Sequence, residues 1–273
     1  RDGEPIEIIN MTRWSEKDLC GRLLNSEEKD EWYVLKLEAY DEKTDRMLCS
    51  DILNKKRYMA QKSLLDSSIF NANYHQRPLD LKGKLYTRFK TYTQYPRDEE
   101  GNLLFEKIIA YTDTADEGDD YLCTIIAGLY NNELYVLDVI YTKESMEITE
   151  GLVAEALFEN KVNEAKFESN NGGRGFARNV EFILLHNYCS NKTDINWFHQ
   201  TENKRARILS NSTWIMKHIY FPINWNIRWP EFYEVMNTYQ REGKNEHDDA
   251  PDAVTGLGEM VIGEEGAIEV FKK

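Results

Sequence analysis

Apolar and polar positions change their period several times along this chain, and each change predicts an element. Lys107 to Thr112 is a continuous apolar run, as expected of a strand buried on both faces, and it ends on Asp113. Tyr121 to Leu129 and Leu134 to Tyr141 follow as strands, joined by a turn at Asn131-Asn132. Ser145 to Asn160 places Ile148, Leu152, Ala156 and Phe158 on or near one face, hence a helix. Lys161 to Phe167 is the next strand and ends on Glu168. Asn170-Asn171-Gly172-Gly173 then turns the chain into a helix from about Gly175 to Tyr188. Ile195 to His199 is a fifth short strand, and helices are predicted near Asn203 to Met216, Trp229 to Tyr239 and Asp249 to Val261. Three meandering strands, then alternating helix and strand, then helices, is an α/β order.

The chain before Phe105 is patterned differently. Ile6 to Asn10 and Trp32 to Leu37 read as strands, with a helix capped by Ser15 between them. Lys55 to Leu65 and Ser68 to His75 read as helices. Too few strands are present for a complete sheet, so residues 1–76 look like the end of a domain. Residues 77–104 are polar, punctuated by Pro78, Gly83, Pro96 and Gly101, and read as a linker whose aromatics pack on a neighbour. Residues 105–273 form the α/β domain.

Composition narrows the function classes. The 273 residues are 41% hydrophobic and 30% charged, as in a folded globular protein. No apolar run is long enough to span a bilayer, so no membrane is expected. Cys20, Cys49, Cys123 and Cys189 lack the paired spacing of a zinc or redox site and read as buried free thiols. A net charge of −14 opposes general attraction to nucleic acid, so any such contact must be local and cation-assisted.

The acidic residues carry the chemistry. Asp113 and Glu168 each end an apolar strand, and Asp248, Asp249 and Asp252 open a late helix. Adjacent strands lie about 4.8 Å apart, so parallel neighbours could bring the first two together. Asp249, Asp252 and Gly256 fall at spacings of three and four, so they share a helix face, and Gly256 would let that face approach the sheet. Converging carboxylates repel unless hard divalent cations lie between them. The arrangement predicts a nuclease with two ions, Mg²⁺ or Mn²⁺, either side of a scissile phosphate.

Other motifs are less specific. Asn171-Gly172-Gly173-Arg174-Gly175 lacks the Gly-Lys-Ser/Thr ending of a nucleotide-binding loop, so it is a tight turn or a place where Arg174 or Arg178 touches a DNA phosphate. Lys204, Arg205 and Arg207 open a helix; they form either a solvated face or a grip on the DNA backbone.

These residues together resemble the large terminase subunit of tailed bacteriophages. The resemblance rests on His247-Asp248-Asp249-Ala250-Pro251-Asp252-Ala253 and on Glu168-Ser169-Asn170-Asn171-Gly172-Gly173-Arg174-Gly175-Phe176-Ala177, with Asn203-Lys204-Arg205 and Phe221-Pro222 spaced between them. It implies an RNase H-like mixed β-sheet flanked by helices, preceded by the last part of an ATPase domain. Asp113 and Glu168 would be catalytic metal ligands, joined by Asp249 as first choice, then Asp252 and Asp248. Met11-Thr12-Arg13-Trp14 is similar to the family's coupling segment, which makes Thr12 the coupling residue; ATPase activity is not expected of this chain. Implied partners are concatemeric double-stranded DNA, the portal protein and the small terminase subunit, in the host bacterial cytoplasm. A non-catalytic docking module and another RNase H-like nuclease, such as a junction resolvase, are the alternatives.

Overall fold

The computed structural model of the protein describes residues 7–13, 18–65, 67–78, 83–114, 120–169, 173–201 and 203–271. Two compact units divide at Gly83 and Lys84.

In the first unit, α1 (Leu19–Leu24) is capped by Asp18, whose carboxylate accepts from Gly21 N at 2.7 Å. A short hairpin of β1 (Tyr40–Asp41) and β2 (Arg46–Met47) is followed by α2 (Lys55–Leu64) and α3 (Ser67–His75). Tyr40, Tyr58 and Phe70 form its core, and His75 is buried beside them, bridging the Tyr58 hydroxyl at 2.8 Å and Glu38 Oε2 at 2.9 Å. The strands expected at Ile6 to Asn10 and Trp32 to Leu37 do not form over the described residues 7–10 and 32–37. A strand needs a ladder partner, and the described part of this unit pairs only β1 with β2. Tyr33 is consequently 91% exposed. Thr12 is exposed and lies in no element; Trp14 and Ser15 fall outside the described residues.

The second unit is built on one sheet, in spatial order β3 (Lys90–Tyr92), β9 (Ile219–Pro222), β6 (Glu133–Thr142), β5 (Leu122–Tyr130), β4 (Lys107–Asp113), β7 (Glu164–Glu168) and β8 (Asp194–Phe198). β4, β5 and β6 are antiparallel neighbours, whereas β7 and β8 add in parallel beside β4. The β5–β6 turn holds Asn131 and Asn132 at φ of 51° and 59°, the left-handed pair that a tight hairpin demands and Asn tolerates. This is a mixed sheet flanked by helices, as the resemblance implied.

Residues 84–104 are not a linker. Leu85 and Tyr86 are buried in the core of this unit, and Lys90–Tyr92 pairs with Tyr220–Pro222 as an edge strand. Polar composition misled here because an edge strand shows only part of itself to the core.

Strand alternation sorts the side chains between two layers. Ala110, Ile126, Ala165 and Phe167 pack against α4 (Met146–Glu159) and α5 (Gly173–Asn187). Ile109, Tyr111, Ile125 and Val136 face α6 (Lys204–His218), α8 (Pro230–Thr238) and α9 (Asp249–Phe271). A short helix, α7 (Trp225–Arg228), precedes α8. Among the described residues no helix is long and apolar enough to cross a membrane. Cys123 is buried as expected, but Cys49 and Cys189 are exposed.

α9 approaches the sheet at one glycine. A Cβ on Gly256 would lie 2.1 Å from Cζ of Tyr111, so the Tyr111 ring occupies the space a side chain would need. Gly151, on α4, has nothing within 4 Å of its Cβ position. Gly256→Ala should therefore destabilise the protein by about 1–3 kcal/mol through overpacking. Gly151→Ala should be neutral or stabilising by about 0.5–1 kcal/mol. Chemical denaturation of the two variants checks this; equal midpoints would contradict the close approach.

Candidate metal centre

The site begins with strand parity. Thr112 pairs with Phe167 across the parallel β4–β7 ladder, so Asp113 and Glu168, one step on, end adjacent strands side by side. Side chains alternate between faces, which puts Asp113 on the face of Tyr111 and turns both carboxylates towards α6 and α9. Behind them, Gly173 seats the start of α5 on the end of β7. Its Cβ position lies 2.1 Å from the Glu168 carbonyl oxygen, so the turn requires glycine, and Thr114 Oγ1 donates to that carbonyl at 3.0 Å.

α9 supplies the third carboxylate. Asp252 stands one turn before Gly256, on the stripe pressed against the sheet, and is 1% exposed. Oxygens of Asp113, Glu168 and Asp252 all lie within 4.8 Å of one another, and all three residues are buried. Opposite ligands of one oxygen-bound divalent ion are about 4–5 Å apart, so this spacing fits such an ion. The donor set, oxygen only, also suits a hard cation. Asp252 Oδ2 is buried and, among the described residues, accepts no hydrogen bond, with Lys204 Nζ 3.5 Å away as an ion-pair partner.

Asp249, the first choice from sequence, is buried one turn further out. Its Oδ2 accepts from Tyr121 N at 3.4 Å, and it stands outside the close trio. Asp248 is more open, with 42% of its side chain exposed.

Two of the candidate DNA contacts reach into the acidic cluster, Lys204 with part of its side chain still exposed and Arg207 enclosed. Lys204 Nζ lies 3.0 Å from Asp113, 3.3 Å from both Asp248 and Asp249, and 3.5 Å from Asp252. Arg207, with a side chain 1% exposed, donates from Nη2 to Asp252 Oδ1 at 2.6 Å. It cannot touch a DNA backbone while so enclosed. Asn211, one turn on, donates to Glu259 at 3.0 Å, so the polar stripe of α6 meets the acidic stripe of α9 rather than solvent.

Among the described residues, five carboxylates, those of Asp113, Glu168, Asp248, Asp249 and Asp252, thus face two cations, Lys204 and Arg207. Burial pushes Asp113 up to about 7, against the pull of Lys204. Burial likewise pushes Asp252 up to about 6, and Glu168 is raised by burial and by the neighbouring Asp113. Lys204 is held protonated because the surrounding carboxylates outweigh its own desolvation. The excess of negative charge is what a divalent cation would relieve.

The remaining candidates lie on the surface. Arg174 and Arg178 are exposed on α5, the former 5.7 Å from the ring centre of Trp197 on β8. Arg205 is exposed and caps the carbonyls of Arg241 and Gly243 at 2.8 and 3.0 Å. Asn170, Asn171 and Gly172 fall outside the described residues. Sequence reasoning missed Tyr111, whose hydroxyl donates to Glu168 Oε2 at 3.4 Å; it read only as a core strand residue.

Residues 112–219 match a family model described as terminase, bacteriophage T7, ribonuclease H-like domain. The large terminase of a thermophilic bacteriophage, in complex with ADP, is similar in structure over 93% of this chain and 62% of that one, with a TM-score of 0.55 at 12% identity. A second crystal form of that thermophilic phage's large terminase matches 77% of this chain and 52% of its own, with a TM-score of 0.53 at 12% identity. The chain therefore spans about half to three-fifths of the length of the thermophilic phage protein. A weaker likeness, with a TM-score of 0.40 at 13% identity, is to the nuclease domain of the bacteriophage SPP1 large terminase g2p with bound Mn, over 64% of this chain and 96% of that one. No curated protein sequence matches. Residues 112–219 thus match the ribonuclease H-like domain of a phage terminase, on a mixed sheet whose strand tips carry the carboxylates.

Proposed function

We propose that this chain is the nuclease part of a DNA-packaging terminase, an endonuclease that cuts concatemeric double-stranded DNA with Mg²⁺ or Mn²⁺. The observation that carries this reading is the buried trio of Asp113, Glu168 and Asp252 with more negative charge than its two basic neighbours neutralise. A pair of divalent ions, when bound, would activate water for in-line attack and stabilise the leaving oxygen. Asp113 and Glu168 would hold them from the rigid sheet, and Asp252 from the helix pressed onto it. Asp249 and Asp248 extend the donor set outward from Asp252.

The chain's own basic groups would then handle the DNA. Lys204, with 36% of its side chain exposed, is the basic group that a phosphate would meet at this cluster. Arg174 and Arg178, on the helix that follows Glu168, supply backbone contacts close to the cut. Arg205 adds one from the start of α6. Such local contacts are what a chain of net charge −14 requires. They read phosphate rather than sequence, so the choice of cut site would fall to the portal and the small terminase subunit.

Supercoiled plasmid incubated with the protein and Mn²⁺ should be nicked and linearised. Asp113→Ala should lose this activity by about 100-fold or more, as expected when a ligand of the catalytic ions is removed. Equal nicking by both proteins would remove Asp113 from the mechanism.

Protons should compete with the ions. Because Asp113 titrates at about 7 and Asp252 at about 6, lowering the pH protonates the ligands. Mn²⁺ affinity measured by calorimetry should therefore fall by about tenfold or more between pH 8 and pH 6, and recover on return. A flat profile across that window would contradict the assignment of these two carboxylates as ligands.

A further inference from the structure

The guanidinium of Arg207 is an expensive group to bury, and the structure leaves it incompletely satisfied. Among the described residues its Nε and Nη1 have no well-formed hydrogen bond: Nε lies 3.8 Å from Glu259 Oε1, and the Tyr111 hydroxyl is a further polar neighbour. Only Nη2 is well placed, 2.6 Å from Asp252 Oδ1 and 3.5 Å from the Asp252 carbonyl oxygen. Buried donors without acceptors disfavour folding, and a buried ion pair is often no better for stability than apolar residues of the same volume. Stability alone gives little reason for an arginine here.

Its effect on Asp252 gives a better one. The guanidinium touches the Asp252 backbone carbonyl and donates to Oδ1 of the same residue, so the Asp252 side chain cannot turn without breaking the Oδ1 contact. The other oxygen, Oδ2, is left buried and without a hydrogen bond, with the Lys204 ammonium 3.5 Å away, on a residue of the trio of Asp113, Glu168 and Asp252. Partners of this kind fix the orientation of a metal ligand, and their loss typically weakens metal affinity about 10–100-fold.

We propose that Arg207 is a positioning residue for the metal centre: it holds Asp252 by Oδ1 so that Oδ2 faces the divalent cations. The proposal rests on the nuclease reading above. It differs from charge balance, which any cation at this position would provide; it depends on the reach and planarity of the guanidinium.

Calorimetric Mn²⁺ titration of the whole chain tests it, with circular dichroism establishing that each variant is folded. Arg207→Lys keeps the charge and should weaken Mn²⁺ binding about 10–100-fold. A purely structural or charge-balancing role would leave its Mn²⁺ affinity at the wild-type value, and that result would overturn the proposal. Should Arg207→Lys not fold, the pair can be removed together, since deleting both partners leaves no orphaned charge. Asp252→Asn and the double variant Arg207→Met/Asp252→Asn should then bind Mn²⁺ equally weakly. A further loss in the double variant would show Arg207 acting through another group and would overturn the proposal. Absence of Mn²⁺ binding by the wild-type chain would overturn the nuclease reading itself, and Arg207 would have nothing to position.

Discussion

Mutual repulsion among buried carboxylates is the constraint around which this domain is arranged. Asp113, Glu168 and Asp252 are each 8% exposed or less, and their oxygens lie within 4.8 Å of one another. Such a group can persist only if protons, basic side chains or bound cations share the charge. Two of these remedies are visible here: raised carboxylate pKa values, and basic side chains in the Lys204 ammonium among four aspartates and the Arg207 guanidinium on Asp252. The same imbalance that burdens the fold creates affinity for a divalent ion.

The fold's contribution is to make that convergence unavoidable. Parallel pairing of β4 with β7 places two strand tips side by side, and strand alternation sends both acidic side chains to one face. The contact of Gly256 with Tyr111 lowers α9 onto that face, and the facing stripes of α6 and α9 fix how the two helices meet. Each of these is a packing decision made away from the carboxylates, and each sets where a carboxylate ends up.

Much of this was legible in the sequence, for identifiable reasons. The strand ending on Asp113 stands out by its apolar run Ile108 to Tyr111, and the strand ending on Glu168 by the buried Ala165 and Phe167 that precede the tip. The role of Gly256 followed from its spacing to Asp252. Less legible were β3 and β9, whose Lys90-Thr91-Tyr92 and Ile219-Tyr220-Phe221-Pro222 are too short to show a period, and whose pairing joins segments far apart in the chain. The polar stripe of α6 was unreadable for another reason: periodicity locates a polar face but does not say whether water or an acidic helix lies opposite. The order of Asp249 and Asp252 was likewise undecidable, since both fall on one stripe and only the tertiary height of α9 separates them. In the first unit, apolar stretches patterned as strands remain unpaired in the described structure because a pattern supplies a strand's face and not its neighbour.

Lys204 occupies the place where charge compensation is needed, and this gives the account its most direct test. Crystals soaked in Mn²⁺ and measured at the manganese absorption edge would locate the ions by their anomalous signal. The account predicts manganese bound to Asp113, Glu168 and Asp252, with the Lys204 ammonium moved away from the carboxylates that the ions take over. Manganese located elsewhere, or a site in which Lys204 keeps all its contacts while no ion binds the trio, would contradict it.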